Sequence, residues 1–542
     1  MLHFAALNVA LSHPLTPTPY PTGPGTPVPT PNGNDPDGQY AAWSIWPEPH
    51  DFVWTSNDSK VTATLPSTFT ITCTALSGAA CPAPLASAAA RYQRTILRFG
   101  TPSDAAFLTK LELRAASFTA LADHGEYAAL MKRTGGNASD KMAWAKWSAA
   151  KARTPERWSA SHRGGQSCVD ASCVEPRSTA AATTTLSSLT VHVNGSGDPP
   201  LSIDADESYA LTITPTTATL EAKTQWGAIR GLESFAQTVY CLPSAAASAL
   251  AAQSSGAASC VYSIRNLPLT MNDSPRFKWR GVMIDTARHF IGVPSLKRVI
   301  DGMSMNKMNM LHWHATDDQS WSIESTTYPN FTKLGAYSDK QIYSTATIAA
   351  LHAYAEERGV IIYPEFDVPG HAQIWSQTYP QFTDTSCGGI DPTGEAGHDI
   401  FTVLTNLAKE MGGAGPTAIH FGGDEFDPKS WSSCTAVNAW AVAQGAPFVN
   451  ASGAIDYDIV RMNFQLKIAK AAAALGKRPV FWNEAWMSGL GANSSMPLGA
   501  YDKSAIFTSW AGDDAHAIYA GYDVLFNTGW YLDQTNPGGV NQ

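Results

Sequence analysis

Charge is what this 542-residue chain has little of: Asp, Glu, Lys and Arg make up 15% of it, against about 25% in ordinary globular proteins. Its surface must rely on Ser, Thr, Asn and Gly for contact with water. The charge is also skewed, since 36 basic against 46 acidic side chains leave −10. A polyphosphate would be repelled, and nucleic acid is not an expected partner. No stretch approaches the ~20 consecutive apolar residues of a spanning helix, so no membrane span is expected. Eight cysteines are too few for a disulfide-built scaffold, and none has the paired CxxC spacing of a zinc site.

What is present is enough for large cores. Hydrophobic residues reach 44%, near the ~45–50% of globular chains, and the length allows two to four domains at roughly 100–200 residues each. Sequons at Asn57, Asn137, Asn194, Asn272, Asn330, Asn450 and Asn493 point to a secretory route, a weak signal because N-x-S/T arises by chance. Residues 1–12 read either as a partial signal peptide without its basic n-region or as a plain disordered start. Residues 13–39 carry nine prolines and few bulky apolar side chains, the composition of an extended linker.

From residue 40 to 275 the pattern predicts an α+β domain. Lys60 to Leu65, Thr68 to Thr74, Leu189 to Val193 and Ser208 to Thr214 alternate as strands do, and a helix is expected over Thr224 to Cys241. An insertion over about 88–180 interrupts it. Its stretch from Arg91 to Arg163 holds thirteen Lys/Arg against six Asp/Glu, and the bland reading is an exposed insertion without a specific ligand.

From Arg276 short apolar runs alternate with amphipathic helices. Strands are expected at Gly281 to Asp285, Met308 to His314, Val360 to Glu365, Ala418 to Phe421, Pro479 to Asn483, Ala505 to Ser509 and Tyr522 to Asn527. Helices are expected at Ser295 to Asn306, Thr347 to Arg358, Asp399 to Met411, Tyr457 to Leu475 and Asp514 to Ala520. Repeated β/α units predict a parallel sheet, and this many favour a (β/α)8 TIM barrel over 276–542. Seven strands are visible where eight are needed. Functional side chains of such barrels sit at the carboxyl ends of the strands, and here those ends are polar and aromatic: Asp285 and Arg288, Asp317, Glu365 and His371, Asp424 and Glu425, Trp482, Trp510, then Trp530, Tyr531 and Asp533. Aromatic faces for a pyranose and carboxylates for its hydroxyls make the profile of a sugar site. His312 and His314 lie two apart and share a strand face, which suits a metal pair. No further histidine set completes it, and neither metal nor cofactor is expected.

The motifs Asp273-Ser-Pro-Arg-Phe-Lys-Trp-Arg-Gly281, Asp285-Thr-Ala-Arg-His-Phe290, Asn306-Lys-Met-Asn-Met-Leu-His-Trp-His-Ala-Thr-Asp317, Glu365-Phe-Asp-Val-Pro-Gly-His371 and His420-Phe-Gly-Gly-Asp-Glu425 together resemble the β-N-acetylhexosaminidases of glycoside hydrolase family 20. The resemblance implies a zincin-like α+β domain beside the catalytic barrel, a glycan substrate, a secreted, lysosomal or vacuolar location, and a homodimer as the suggested assembly. It implies exo-hydrolysis of terminal β-linked N-acetylglucosamine or N-acetylgalactosamine with retention, the substrate's 2-acetamido group acting as nucleophile. Glu425 would be the acid and then the base, Asp424 would orient the acetamido group, and Tyr531 would donate to its oxygen. Asp317 and His371 would form a dyad behind Glu425. Arg288 and Asp533 would bind hydroxyls, and Trp482, Trp510 and Trp530 would line the pocket. A bridge between Cys387 and Cys434 is expected to tie the third and fourth strand-end loops; Cys73 with Cys81, Cys168 with Cys173 and Cys241 with Cys260 are the economical remaining pairs. Family members continue past the Trp-Tyr-Leu-Asp segment into a last strand bearing a Trp and an acidic residue. This sequence ends at Gln542, so the barrel is expected to lack its last β/α unit, and a non-catalytic sugar-binding remnant is the alternative reading.

Overall fold

The structure, a computed structural model, describes residues 4–11, 51–54, 61–75, 80–96, 183–195, 199–243, 260–384, 386, 389–394, 399–411, 418–487, 501–510 and 515–527. Residues 4–11 form a strand, β1 (Phe4–Leu11), whose place becomes clear with the barrel.

The smaller α+β unit has a six-stranded sheet and a four-stranded one. The first runs Asp51–Trp54, Leu269–Asp273, Tyr209–Ile213, Ala218–Ala222, Ser188–Val193 and Thr70–Ala75; the second runs Thr183–Thr185, Val61–Leu65, Cys260–Leu267 and Tyr240–Pro243. Two helices, Ala83–Ile96 and Gln225–Gln237, pack together on the sheet. The first was not expected. It overlaps the start of the charge-skewed window, yet its Leu85, Ala88, Ala89, Tyr92 and Ile96 are buried in the core of the α+β unit. The second starts where Thr224 accepts hydrogen bonds from the backbone N–H groups of Trp226 and Gly227, an N-cap. It stops at Gln237 rather than continuing to Cys241. The Thr238 hydroxyl turns back to the Phe235 carbonyl at 2.7 Å, and Tyr240–Pro243 pairs with Cys260–Leu267 as a strand. Cys73 and Cys81 are bridged.

Seven parallel strands curl into the catalytic unit: β2 (Arg280–Asp285), β3 (Met310–Asp317), β4 (Ile361–Phe366), β5 (Ala418–His420), β6 (Arg478–Trp482), β7 (Ile506–Ser509) and β8 (Asp523–Phe526). Each is paired in register with the next. β1 runs antiparallel between the two ends of this row, Asn8 opposite Gly281 of β2 and Ala10 opposite Leu525 of β8. The stretch that reads as a partial signal thus stands in the gap of the wall. Side chains alternate along the parallel strands as their period demands. Leu311, Trp313 and Ala315 of β3 pack outward with helix residues such as Leu296, Ile300, Leu404 and Phe464, while His312 and His314 contact Glu365 of β4.

At the amino ends of the strands Met310, Ile361, Ala418, Val480, Ile506 and Leu525 join the core of the α+β unit in one apolar cluster. Polar contacts lock that seam. Arg230, 2% exposed, donates to Glu207 and to the carbonyls of Arg358 and Gly359, and Arg280 holds the other oxygen of Glu207 at 2.6 Å. The opposite, carboxyl end of the wall is left free for chemistry. Among the described residues no helix is long and apolar enough to cross a membrane.

Candidate active site

Asp285, at the end of β2, accepts the backbone N–H groups of Ala287 and Arg288 at 2.9 and 3.0 Å, which turns the chain sharply after the strand. The turn aims Arg288 across the rim. Its guanidinium meets Asp285 at 3.1 Å and Asp317, from the end of β3, at 2.6 Å. Asp317 is wholly buried. Burial opposes its charge, but hydrogen bonds from His314 and His371, with the Arg288 guanidinium nearby, hold its carboxyl well below the ordinary range.

His371 joins this carboxylate to the next loop. Its Nδ1 lies 3.5 Å from Asp317, and its Nε2 lies 3.2 Å from Glu425 and 3.7 Å from Asp424. The hydrogen bond with Asp317, working against burial, pushes the imidazole up to about 9. At neutral pH it is therefore an imidazolium, with Asp317 on one side and Glu425 on the other. His371 and Glu425 both have left-handed backbone, with φ of 51° and 49°. For residues with a Cβ this costs roughly 1–3 kcal/mol each, and here it turns both side chains to face one another. Glu425 is 59% exposed at the mouth and Asp424 only 17%: one carboxyl is presented to a ligand, its neighbour is set into the wall.

Trp482 is buried, and its indole N–H donates to Glu365 at 2.7 Å. With Met283 and the part-exposed Trp510 it forms a separate small apolar cluster. The Trp510 indole in turn donates to both oxygens of Glu484, at 2.9 and 3.0 Å. Arg288, Asp317, His371, Asp424 and Glu425 thus come together, as do Trp482 and Trp510. Trp530, Tyr531, Asp533 and Cys387 lie outside the described residues; Cys434 is disulfide-bonded.

Two carboxylates, Asp367 and Glu484, were not singled out from the sequence, and the surroundings of a third, Glu365, were not foreseen. Glu365 is wholly buried, with His312 Nε2 at 2.8 Å, His314 Nδ1 at 2.5 Å and His420 Nδ1 at 2.9 Å, besides Trp482. Both oxygens of Glu365 are thus engaged, the two histidines of β3 among its partners. Asp367 lies beneath Asp424 and Glu484 behind Trp510. Glu365 and Asp367 stand in the quoted Glu365-to-His371 motif, and Glu484 stands two residues after Trp482 at the end of β6, which was the available signal.

A family model described as the glycosyl hydrolase family 20 catalytic domain matches residues 277–542, and one described as beta-acetyl hexosaminidase like matches 45–238. The chain belongs to glycoside hydrolase family 20. Within curated relatives it is similar to beta-hexosaminidase subunit beta of Sus scrofa, 31% identical over 367 residues that cover 66% of this chain and 63% of that one. It is likewise similar to beta-hexosaminidase 1 of Arabidopsis thaliana, 32% identical over 368 residues covering 64% and 60%. The chain therefore spans less than two thirds of the length of these relatives. Among solved structures the chitobiase of Flavobacterium johnsoniae aligns with a TM-score of 0.58 at 22% identity, over 91% of this chain and 60% of that one. The likeness extends the family 20 assignment to the fold, a TIM-barrel catalytic domain.

Proposed function

We propose that this chain is an exo-acting β-N-acetylhexosaminidase that removes terminal β-linked N-acetylglucosamine or N-acetylgalactosamine with retention. The observation that carries the reading is the line from Asp317 through His371 to Glu425 with Asp424 alongside. Ordinary retaining glycosidases set two carboxyls about 5–5.5 Å apart across the scissile bond. Neighbours on one loop, one exposed and one sunk, suit a substrate that brings its own nucleophile.

Glu425 protonates the glycosidic oxygen as the 2-acetamido carbonyl attacks the anomeric carbon. Asp424 accepts the acetamido N–H and balances the positive charge of the oxazolinium, after which Glu425 takes a proton from the attacking water. Arg288 binds outer hydroxyls, Trp482 and Trp510 line the acetamido side, and Trp530, Tyr531 and Asp533 keep the roles that the family motif gives them. A secretory, lysosomal or vacuolar location is supported by the Cys73–Cys81 bridge and by the exposure of the four described sequon residues, Asn194, Asn272, Asn330 and Asn450.

The test is release of aryl alcohol from aryl N-acetyl-β-glucosaminide and galactosaminide by the full chain and by Glu425→Gln. Turnover that depends on Glu425 supports the enzyme. Sugar binding without any turnover would favour the non-catalytic remnant.

A further inference from the structure

Asp424 has a buried partner that this mechanism leaves unused. Asp367, on the loop after β4, is 1% exposed, and one of its carboxyl oxygens lies within 4.8 Å of one of Asp424. The loop from β5 is pressed onto it. The Gly423 N–H donates to Asp367 Oδ1 at 3.0 Å, and a Cβ at Gly422, where φ is 60°, would fall 1.6 Å from that same oxygen. One oxygen of each carboxyl, Oδ2 of Asp367 and Oδ1 of Asp424, is buried with no donor from any described residue. Two ionised carboxylates cannot share such a place, since a buried acceptor without a donor keeps the full penalty of losing water, and a charged one more so. A single proton between them satisfies both.

Its position follows from the surroundings. Asp424 is part-exposed and faces the cationic His371 at 3.7 Å, so its charge is the better compensated. Asp367 is enclosed, and Glu365 lies two residues before it, opposite His314 and His420. Burial first, then the charges of Asp424 and Glu365, hold the Asp367 carboxyl well above the ordinary range, against the weaker pull of His314.

Building on the proposed hexosaminidase activity, we propose that Asp367 is a positioning residue: a neutral carboxylic acid that accepts from Gly423 with one oxygen and donates its proton to Asp424 with the other. This fixes Asp424 in its rotamer and keeps it the ionised member, so that its free oxygen receives the acetamido N–H. Asp367 itself touches no substrate.

The arrangement makes Asn and Leu opposite tests at one position, because the amide of Asn both accepts from Gly423 and donates to Asp424, whereas Leu does neither. On an aryl N-acetyl-β-glucosaminide, Asp367→Asn is expected to keep kcat within about tenfold of the parent, and Asp367→Leu to fall at least a hundredfold, near Asp424→Asn, with circular dichroism unchanged in both. In infrared difference spectra of parent minus Asp367→Asn, the C=O stretch of a buried carboxylic acid should appear. Equal losses in the two variants, or no such band in the difference, would overturn the proposal. If the parent itself has no turnover, the activity reading fails, and the infrared band still decides whether Asp367 holds the proton.

Discussion

Glu425 and Asp424 are adjacent in sequence but are asked for different chemistry, and single substitutions should separate them. Glu425→Gln removes proton transfer, a contribution of about 10²–10⁴-fold, so kcat should fall by that much on poor leaving groups and by far less on an aryl group that departs without protonation. Asp424→Asn removes charge stabilisation of the intermediate and should lower kcat with both leaving groups alike; a leaving-group dependence equal to that of Glu425→Gln would count against the division of roles. His371 gives a second residue-scale prediction. Its folded proton affinity is pushed up to about 9, above an unfolded value near 6.5. The stability it adds is complete below about pH 6.5 and disappears as pH rises through about 9. The melting temperature of the parent should therefore drop between pH 7 and 9.5 by more than that of His371→Asn. Arg288, Asp317, His371 and Glu425 could be picked out because each stands at the end of an apolar run, where a barrel puts its chemistry. Asp367 could not, since its proton depends on how closely the Gly422-Gly423 turn of another strand approaches it.

At the scale of elements, the helix Gln225–Gln237 does more than fill the α+β unit. Gln225 to Phe235 is buried without a break, so the helix is enclosed on every side, and its one cation, Arg230, is held by Glu207 and two backbone carbonyls. Replacing it with Met takes the guanidinium from one oxygen of Glu207, which keeps Arg280 on the other, and from both carbonyls, and breaking a buried pair from one side costs about 3–5 kcal/mol. The unfolding free energy of Arg230→Met in urea should fall by that amount. Lys278→Met, which breaks the solvent-exposed pair with Asp204, should change it by less than about 1 kcal/mol; similar losses in the two would refute the seam as a point of strength. The helix itself was legible from its apolar spacing, but its end was not, because a Thr-Val pair can close a helix or open a strand and the Cys260–Leu267 partner decides which. The Ala83–Ile96 helix was obscured by its neighbours in sequence, whose basic charge reads as surface.

For the whole molecule the question is how the barrel wall is completed. The seven parallel strands were legible as short apolar runs, the first six of them separated by helical stretches. The antiparallel β1 was not, because nothing in Phe4–Leu11 names its partners at β2 and β8, hundreds of residues away. Among the described residues, β1 alone covers the outer edges of β2 and β8, edges of backbone N–H and C=O groups of the kind that pairs with other chains. The active site would feel the loss of β1, because β2 ends in Asp285, which aims Arg288 at Asp317. Deleting residues 4–11 from the full chain should lower the melting temperature, produce concentration-dependent association in light scattering, and raise KM for the aryl glycoside more than it lowers kcat, since Glu425 sits across the wall on the loop after β5. A deletion variant that stays monodisperse with unchanged melting and KM would show that the wall stands without β1.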